Sequence, residues 1–407
     1  MKYLILSDIF FPEKRLITEE IYLLCDALIK RKQTVVLGTY NIKSKNEDSI
    51  FDLEATQNGY KIIRSGISNL KKRHLFIRAI FELINPLLLC LKLLPNIIFA
   101  NRIIVFSPSI FLSLFSILLA RLFNKKIILC LQDIIPQNLI DLGIIKNKFL
   151  VMILHSIENI NYKYSDVIFV NTFKSKEYLI QKKYILSKKI RVFYPWINSS
   201  KYNHNNLIDK SEFGKKFNIP ITNDDLIITF TGNIGPFQNL EILFEISKYL
   251  ENSKIKFLIF GDGRGTKLIK EKIRDNKNIN IFHHLPIFDD NFYNLLKISD
   301  FGLATLDKRN STCPIPGKIF EYMYNQLPII ALVDKNHDDL NIILGKNERG
   351  VIIDPDEEPP LIAMKIKDLI KNKINFHQMG KNGKAFAEKN FMASNLLEEF
   401  IDSTLEF

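Results

Sequence analysis

A chain of 407 residues, 47% of them apolar, is long enough for two or three domains with full cores. Its net charge of +12 leaves nucleic acid, an anionic membrane surface or phosphate-bearing ligands as partners, beside the plain reading of a Lys-, Ile- and Asn-rich composition. Cys25, Cys90, Cys130 and Cys313 lie far apart without a C-x-x-C pair, which excludes a disulfide framework and a zinc site and fits reduced thiols in a cytoplasmic protein.

The N-terminal apolar run is short for a signal peptide and meets Pro12, Glu13, Lys14 and Arg15 without a small-residue cleavage site, so it reads as a buried strand, Tyr3–Leu6. Helix Thr18–Lys30 and strand Thr34–Thr39 follow. The most apolar stretch, Phe76 to Phe99, is interrupted by Glu82, Asn85, Pro86, Lys92, Pro95 and Asn96, and a spanning helix needs about 20 predominantly apolar residues. It therefore does not cross a bilayer. With Lys71, Lys72, Arg73 and Arg78 beside Leu87, Leu88, Leu89, Leu93 and Leu94, it fits either the interface of an anionic membrane or an ordinary core helix over Leu75–Leu94.

Strand Ile103–Phe106, helix Ile110–Phe123, strand Lys126–Leu131, helix Leu150–Tyr162, strand Val167–Val170 and helix Lys174–Lys182 continue the alternation. Such alternation predicts a parallel sheet with helices on both faces. The polar stretch from Asn198 to Asn206 reads as a linker. Strands Leu226–Phe230, Lys256–Phe260, Ile279–Phe282, Phe301–Thr305 and Pro328–Leu332 then alternate with helices in a second doubly wound unit. Ligands of such sheets bind at the carboxyl ends of the strands, so two facing units predict a site in the cleft between them.

Two segments of the second half carry chemistry. Thr231-Gly232-Asn233-Ile234-Gly235 joins a strand to a helix expected over Gln238–Leu250, so its amides should meet an anion. Pro316-Gly317-Lys318-Ile319-Phe320-Glu321-Tyr322 opens a further helix, with Lys318 near its start and a carboxylate, Glu321, a turn inside that can accept both ribose hydroxyls. Together they predict a nucleotide-sugar site. Gly261-Asp262-Gly263-Arg264-Gly265 is G-x-G-x-G and reads as a tight strand-to-helix turn near the nucleobase. His283-His284 has no partner at metal spacing.

The residues resemble the GT-B glycosyltransferases, specifically the retaining family-4 type, over nearly the whole chain. They are most similar to bacterial amino-sugar and deoxy-sugar transferases of O-antigen and capsule assembly. The similarity lies in Gly232-Asn233-Ile234-Gly235 followed by Gln238, in Gln132-Asp133-Ile134-Ile135-Pro136, and in Pro316-Gly317-Lys318. It implies two Rossmann-like domains facing each other across a cleft: an acceptor domain over 1–200, rejoined by a helix near 390–407, and a donor domain over 201–389. It also implies Asp133 and Lys318 in catalysis. Gly232, Asn233, Gly235, Gln238, Gly261, Gly263, Arg264, Arg309, Pro316, Gly317, Ile319 and Glu321 would bind the donor. Asp133 has a plainer reading as a helix cap.

Where many family members carry Arg and Lys for the diphosphate, this chain has Asn233 and Gln238. Glu321 matches the second of the usual two glutamates, and Cys313 stands at the place of the first. Positive charge must then come from Lys318, Arg309, Lys308 or Arg264. The resemblance implies transfer from a nucleotide-sugar, with UDP the expected nucleotide, to a lipid-linked or other saccharide acceptor in lipopolysaccharide or related surface-polysaccharide synthesis. The reaction would be retaining, and no cofactor or metal is expected. The enzyme would be cytoplasmic and peripheral on the inner face of a membrane. A basic nucleic-acid binder and a nucleotide-sugar epimerase are the alternatives; charge alone favours the first, and no acid and histidine set supports the second.

Overall fold

In a computed structural model the chain is described over residues 1–40, 54–66, 75–107, 109–202, 207–251, 253–276, 280–371 and 373–406. It divides into two units, Met1–Trp196 with Ala393–Phe407, and Ile197–Met392. The breaks fall a few residues from 200/201 and 389/390 because Ile197 bridges Met392 and donates its amide to Phe391 O at 2.7 Å.

Unit 1 runs β1 (Lys2–Ser7), α1 (Leu16–Lys30), β2 (Thr34–Tyr40), β3 (Glu54–Gln57), β4 (Tyr60–Ser65), α2 (Leu75–Lys92), α3 (Leu94–Phe99), β5 (Arg102–Ser107) and α4 (Ile110–Leu122). It continues through β6 (Lys126–Leu131), α5 (Gln137–Asp141), α6 (Lys148–Tyr164), β7 (Val167–Val170), α7 (Phe173–Lys183) and β8 (Ile190–Val192). Among the described residues the sheet order is β3-β4-β2-β1-β5-β6-β7-β8, parallel except for the antiparallel β3·β4 pair. That pair is a hairpin closed by Asn58 and Gly59, both at positive φ, the geometry that right-twisted strands ask of a two-residue turn. The strands are apolar on both faces, as a sheet covered by helices on each side requires. Each fully buried Ile or Leu contributes about 1.5–3 kcal/mol.

Unit 2 runs α8 (Lys210–Phe217), β9 (Leu226–Asn233), α9 (Ile242–Ser247), β10 (Ile255–Asp262), α10 (Thr266–Asp275), β11 (Ile281–His284), α11 (Asp289–Ile298) and β12 (Phe301–Thr305). Then follow α12 (Lys318–Tyr324), β13 (Ile329–Leu332), α13 (Asp338–Leu344), β14 (Gly350–Ile353), α14 (Pro359–Lys371) and α15 (Lys373–Asn390). Its sheet order among the described residues is β11-β10-β9-β12-β13-β14, all parallel. Asp209 and Glu212 form a reciprocal capping box at the start of α8, which sets where this unit's first helix begins.

The last helix, α16 (Ala393–Leu405), belongs to unit 1. Phe400 packs at a tilt against Phe169 with ring centroids 4.5 Å apart and meets Trp196 at 5.4 Å, while Arg102 Nε donates to Thr404 O at 3.0 Å. Arg31 joins Glu398 and Asp402 from α1.

Two expectations need correction. The helix expected over Gln238–Leu250 is a 3-10 turn at Pro236–Gln238, then the short α9, because Asn239 takes a left-handed conformation that no helix continues through. The strand expected to end at Phe230 extends to Asn233, where it still pairs with Asp262. The Gly-rich segment thus begins as the paired end of a strand, and no long helix opens on it.

Candidate functional site

Each sheet reverses its winding once, and these reversals are where open α/β sheets bind ligands. In unit 2 the reversal lies between β9 and β12, the strands that run into Gly232–Gly235 and into Leu306–Arg309.

The first element of the site is the β9 terminus. Gly232 has φ +107, a conformation L side chains rarely adopt. A Cβ on Gly261 would stand 2.1 Å from Gly232 O, and one on Gly263 2.4 Å from Ile234 O, so the β9 and β10 termini touch through bare backbone. Ile234 donates its amide to Asp262 O at 3.0 Å and accepts from Gly265 N at 2.9 Å. The G-D-G-R-G segment is the tight turn into α10 that the sequence predicts, held by Thr266 Oγ1, which donates to Asp262 Oδ1 at 2.9 Å. Arg264 is exposed there.

The second element is α12. Tyr322 donates to Thr229 O at 3.1 Å and accepts from Thr231 N at 3.0 Å, pinning this helix to β9. Gly302 makes room for it, since a Cβ there would lie 2.2 Å from the Tyr322 ring. Lys318, one turn earlier, is thereby placed with Nζ 3.1 Å from Gln238 Oε1 and 3.3 Å from the centre of the Phe230 ring. Its Cε lies 3.9 Å from where a Cβ of Gly232 would be. Desolvation drives its pKa well below the ordinary lysine value, partly opposed by Glu321. Ile319 is wholly buried and its amide donates to Pro316 O at 3.0 Å, so it presents no group to a ligand. Pro316 is buried beside it, and the Gly317 amide has no partner among the described residues.

Glu321 has a side chain 16% exposed. Its Oε1 accepts from Lys201 Nζ at 3.1 Å and from Tyr202 OH at 3.0 Å. The other cations differ in how committed they are. Arg309 is exposed and bidentate to Asp307 at 2.9 and 2.6 Å, and this pairing holds the Asp307 carboxyl below its usual range. Lys308 bonds Asp354 and Asp356 instead. Asn233 is exposed at the end of β9, and Gly235 caps the 3-10 turn at φ −115. Cys313, at φ +44, donates its thiol to Asn310 O at 3.6 Å. His283 donates to Gly261 O at 3.0 Å and His284 stacks on Phe260. The described residues hold no group of three or more His, Cys, Asp or Glu placed to share a metal ion.

In unit 1 the carboxyl ends of β6 and β7 carry Gln132, Asp133 and Asn171. Gln132 Nε2 donates to Glu20 Oε2 at 3.2 Å and its Oε1 accepts from Asn171 Nδ2 at 2.6 Å. Burial pushes the Glu20 carboxyl up to about 8, opposed by that amide. Asp133 is exposed and takes a long 3.4 Å bond from Asn138. It does not cap α5, whose capping residue is Pro136.

Sequence reasoning missed Lys201, Tyr202, Phe230, Glu20 and Asn171 as parts of these clusters.

No helix of the described residues is long and apolar enough to cross a membrane. Helix α2 is two-faced: Leu89 and Cys90 are buried, while Leu83, Leu87 and Leu91, at four-residue spacing, are exposed, as are Leu118 and Leu122 of α4. Lys71, Lys72 and Arg73 lie outside the described residues, as does the side chain of Arg78.

Residues 212–386 match the family model described as Glycosyl transferases group 1. The chain is 23% identical over 298 residues to "Probable glycosyltransferase WbjE" of Pseudomonas aeruginosa, covering 72% of this chain and 71% of that one. Among solved structures it matches Anabaena HepE in complex with UDP, at a TM-score of 0.70 and 13% identity over the whole of both chains. WaaG, a glycosyltransferase involved in lipopolysaccharide biosynthesis, matches at a TM-score of 0.69 and 10% identity, covering 98% and 99% of the two chains. The fold is that of the GT-B enzymes.

Proposed function

We propose that this glycosyltransferase, whose second unit carries a Glycosyl transferases group 1 domain, holds a nucleoside-diphosphate sugar on unit 2, with UDP as its nucleotide. The sugar passes to a lipid-linked or other saccharide acceptor in surface-polysaccharide synthesis, addressed from unit 1. The reading is carried by one observation: Lys318, Gln238 and the bare backbone of Gly232 meet at the winding reversal of unit 2, with Glu321 one helical turn away. A cation, an amide side chain and exposed main chain suit a diphosphate, and a carboxylate beside them suits a ribose. The UDP complex of the similarly folded HepE and the name of WbjE support it.

Breaking the bond from the anomeric carbon to the β-phosphate oxygen leaves negative charge on the diphosphate. Lys318 and the turn amides stabilise that charge in place, so no metal is required. On the face the leaving group vacates, the acceptor hydroxyl bonds the anomeric carbon and gives its proton to a phosphate oxygen. Configuration is retained. Asp133, exposed just beyond the carboxyl end of β6, is the unit 1 group assigned to orient the acceptor. The exposed leucines of α2 and α4 would seat the enzyme on the inner face of a membrane, where a lipid-linked acceptor lies.

The test is release of UDP from UDP-sugars when membranes or a lipid-linked acceptor are added. Release with a product of the donor's anomeric configuration, unaffected by EDTA, is expected. Activity that EDTA abolishes and manganese restores, or an inverted product, contradicts the mechanism; no UDP release with any UDP-sugar contradicts the donor.

A further inference from the structure

Glu321 is gripped on one oxygen. Lys201 Nζ and Tyr202 OH both donate to Oε1, at 3.1 and 3.0 Å, and Oε2 accepts nothing from the described residues. The two donors are themselves held. The buried Tyr202 ring packs on Tyr324, three residues along α12 from Glu321, with centroids 5.2 Å apart, and Lys201 Nζ stands 5.5 Å from the Phe292 ring centre. The two residues come from the short 3-10 turn Ser199–Tyr202, in a stretch whose polar composition reads only as a linker.

We infer that Lys201 and Tyr202 are positioning residues for the donor nucleoside, locking Oε1 of Glu321 so that Oε2 alone takes the ribose hydroxyls. This rests on the donor reading given above. A carboxylate free to turn would lose rotational freedom on binding ribose; one already fixed by two packed donors loses little. Lys201 also places its ammonium 3.1 Å from Oε1, and a hydroxyl bond to a carboxylate is stronger than one to a neutral acceptor. The clamp therefore converts a ribose contact into selection for ribose, because a nucleotide without those hydroxyls leaves one oxygen of a mostly buried carboxylate unpaired.

The experiment compares UDP with 2′,3′-dideoxy-UDP by titration calorimetry, on protein shown by thermal melting to be folded. Wild-type protein should prefer UDP by roughly tenfold or more. Lys201→Met with Tyr202→Phe should reduce that preference to about threefold or less, mainly through loss of UDP affinity. Tyr202→Phe alone keeps the ring packing and should lower the preference part-way, whereas Lys201→Arg, which keeps charge and donors, should preserve it. A double variant that weakens both nucleotides equally and leaves the preference intact overturns the clamp, for it shows a structural role only. Glu321→Ala separates the two levels of the argument. If it removes the preference and the double variant does not, the clamp alone fails; if it leaves the preference intact, the ribose reading of Glu321 fails and the clamp with it.

Discussion

The ammonium of Lys318 stands 3.3 Å from the centre of the Phe230 ring, near enough to feel its π face while losing most of its water. Phe230 lies on β9, two residues before Gly232, so strand and helix deliver the cation to the place where the β9 backbone is bare. Desolvation is the dominant cause of the lowered pKa. A diphosphate arriving there restores charge complementarity and pulls the proton back on. Between the lowered value of the free protein and the ordinary lysine value, UDP binding should therefore take up protons. Calorimetry in buffers of different ionisation enthalpy reads this directly, and Lys318→Ala should abolish the uptake and weaken UDP by about tenfold or more. Uptake that survives in Lys318→Ala would assign the proton elsewhere.

The glycines of the turn should respond differently to substitution. An added Cβ at Gly261 collides with the carbonyl of Gly232, main chain that cannot swing away, so Gly261→Ala should destabilise the protein by about 1–3 kcal/mol or more. At Gly235 the first atom met is Asn233 Nδ2, the end of a mobile side chain, 2.9 Å away, and φ is ordinary. Gly235→Val should fold near the wild-type melting temperature and lose donor binding. Normal turnover by this variant would turn the loop away from the diphosphate.

Glu20 supplies a pH dependence of stability. Its folded pKa, about 8, lies above the ordinary carboxylate value of 4.5, so the folded state holds a proton the unfolded chain has released. Stability from this group is intact below about pH 4.5 and falls as pH rises, at up to about 1.4 kcal/mol per unit, levelling off above about 8. Glu20→Gln should remove that slope, gaining on wild type between pH 5 and 8 in denaturant titrations. Equal slopes for the two proteins would mean that the carboxyl is ionised in the folded state.

Helix α2 makes a prediction about membranes. Leu87, Leu88 and Leu91 are between 36% and 53% exposed, so their joint replacement by Ser should leave the protein folded. The variant should lose flotation with anionic liposomes that wild type shows at low salt, where electrostatic attraction adds to apolar contact. Wild type remaining at the bottom of the gradient would remove the membrane from the account.

The alternation of apolar runs with helical periods was enough to read both doubly wound units, because buried parallel strands are continuous apolar stretches. The β3·β4 hairpin escaped that reading although Asn58-Gly59 marks its turn, since β3 is short and polar and β4 breaks its apolar residues with Lys61 and Arg64. Lys318 and Glu321 were legible from helix position. The linker residues on Glu321 and the Glu20–Gln132–Asn171 chain were not, for both arise where segments far apart in sequence meet. The helix drawn from Gln238 failed because left-handed Asn239 outweighs the apolar period around it.

Titration of UDP into wild-type protein and into Glu321→Ala tests the central claim most directly. Charge-assisted hydrogen bonds of roughly 1.5–3 kcal/mol each predict measurable binding by wild type and a loss of tenfold or much more in the variant, with the melting temperature little changed. Equal affinity of the two folded proteins for UDP would contradict the account.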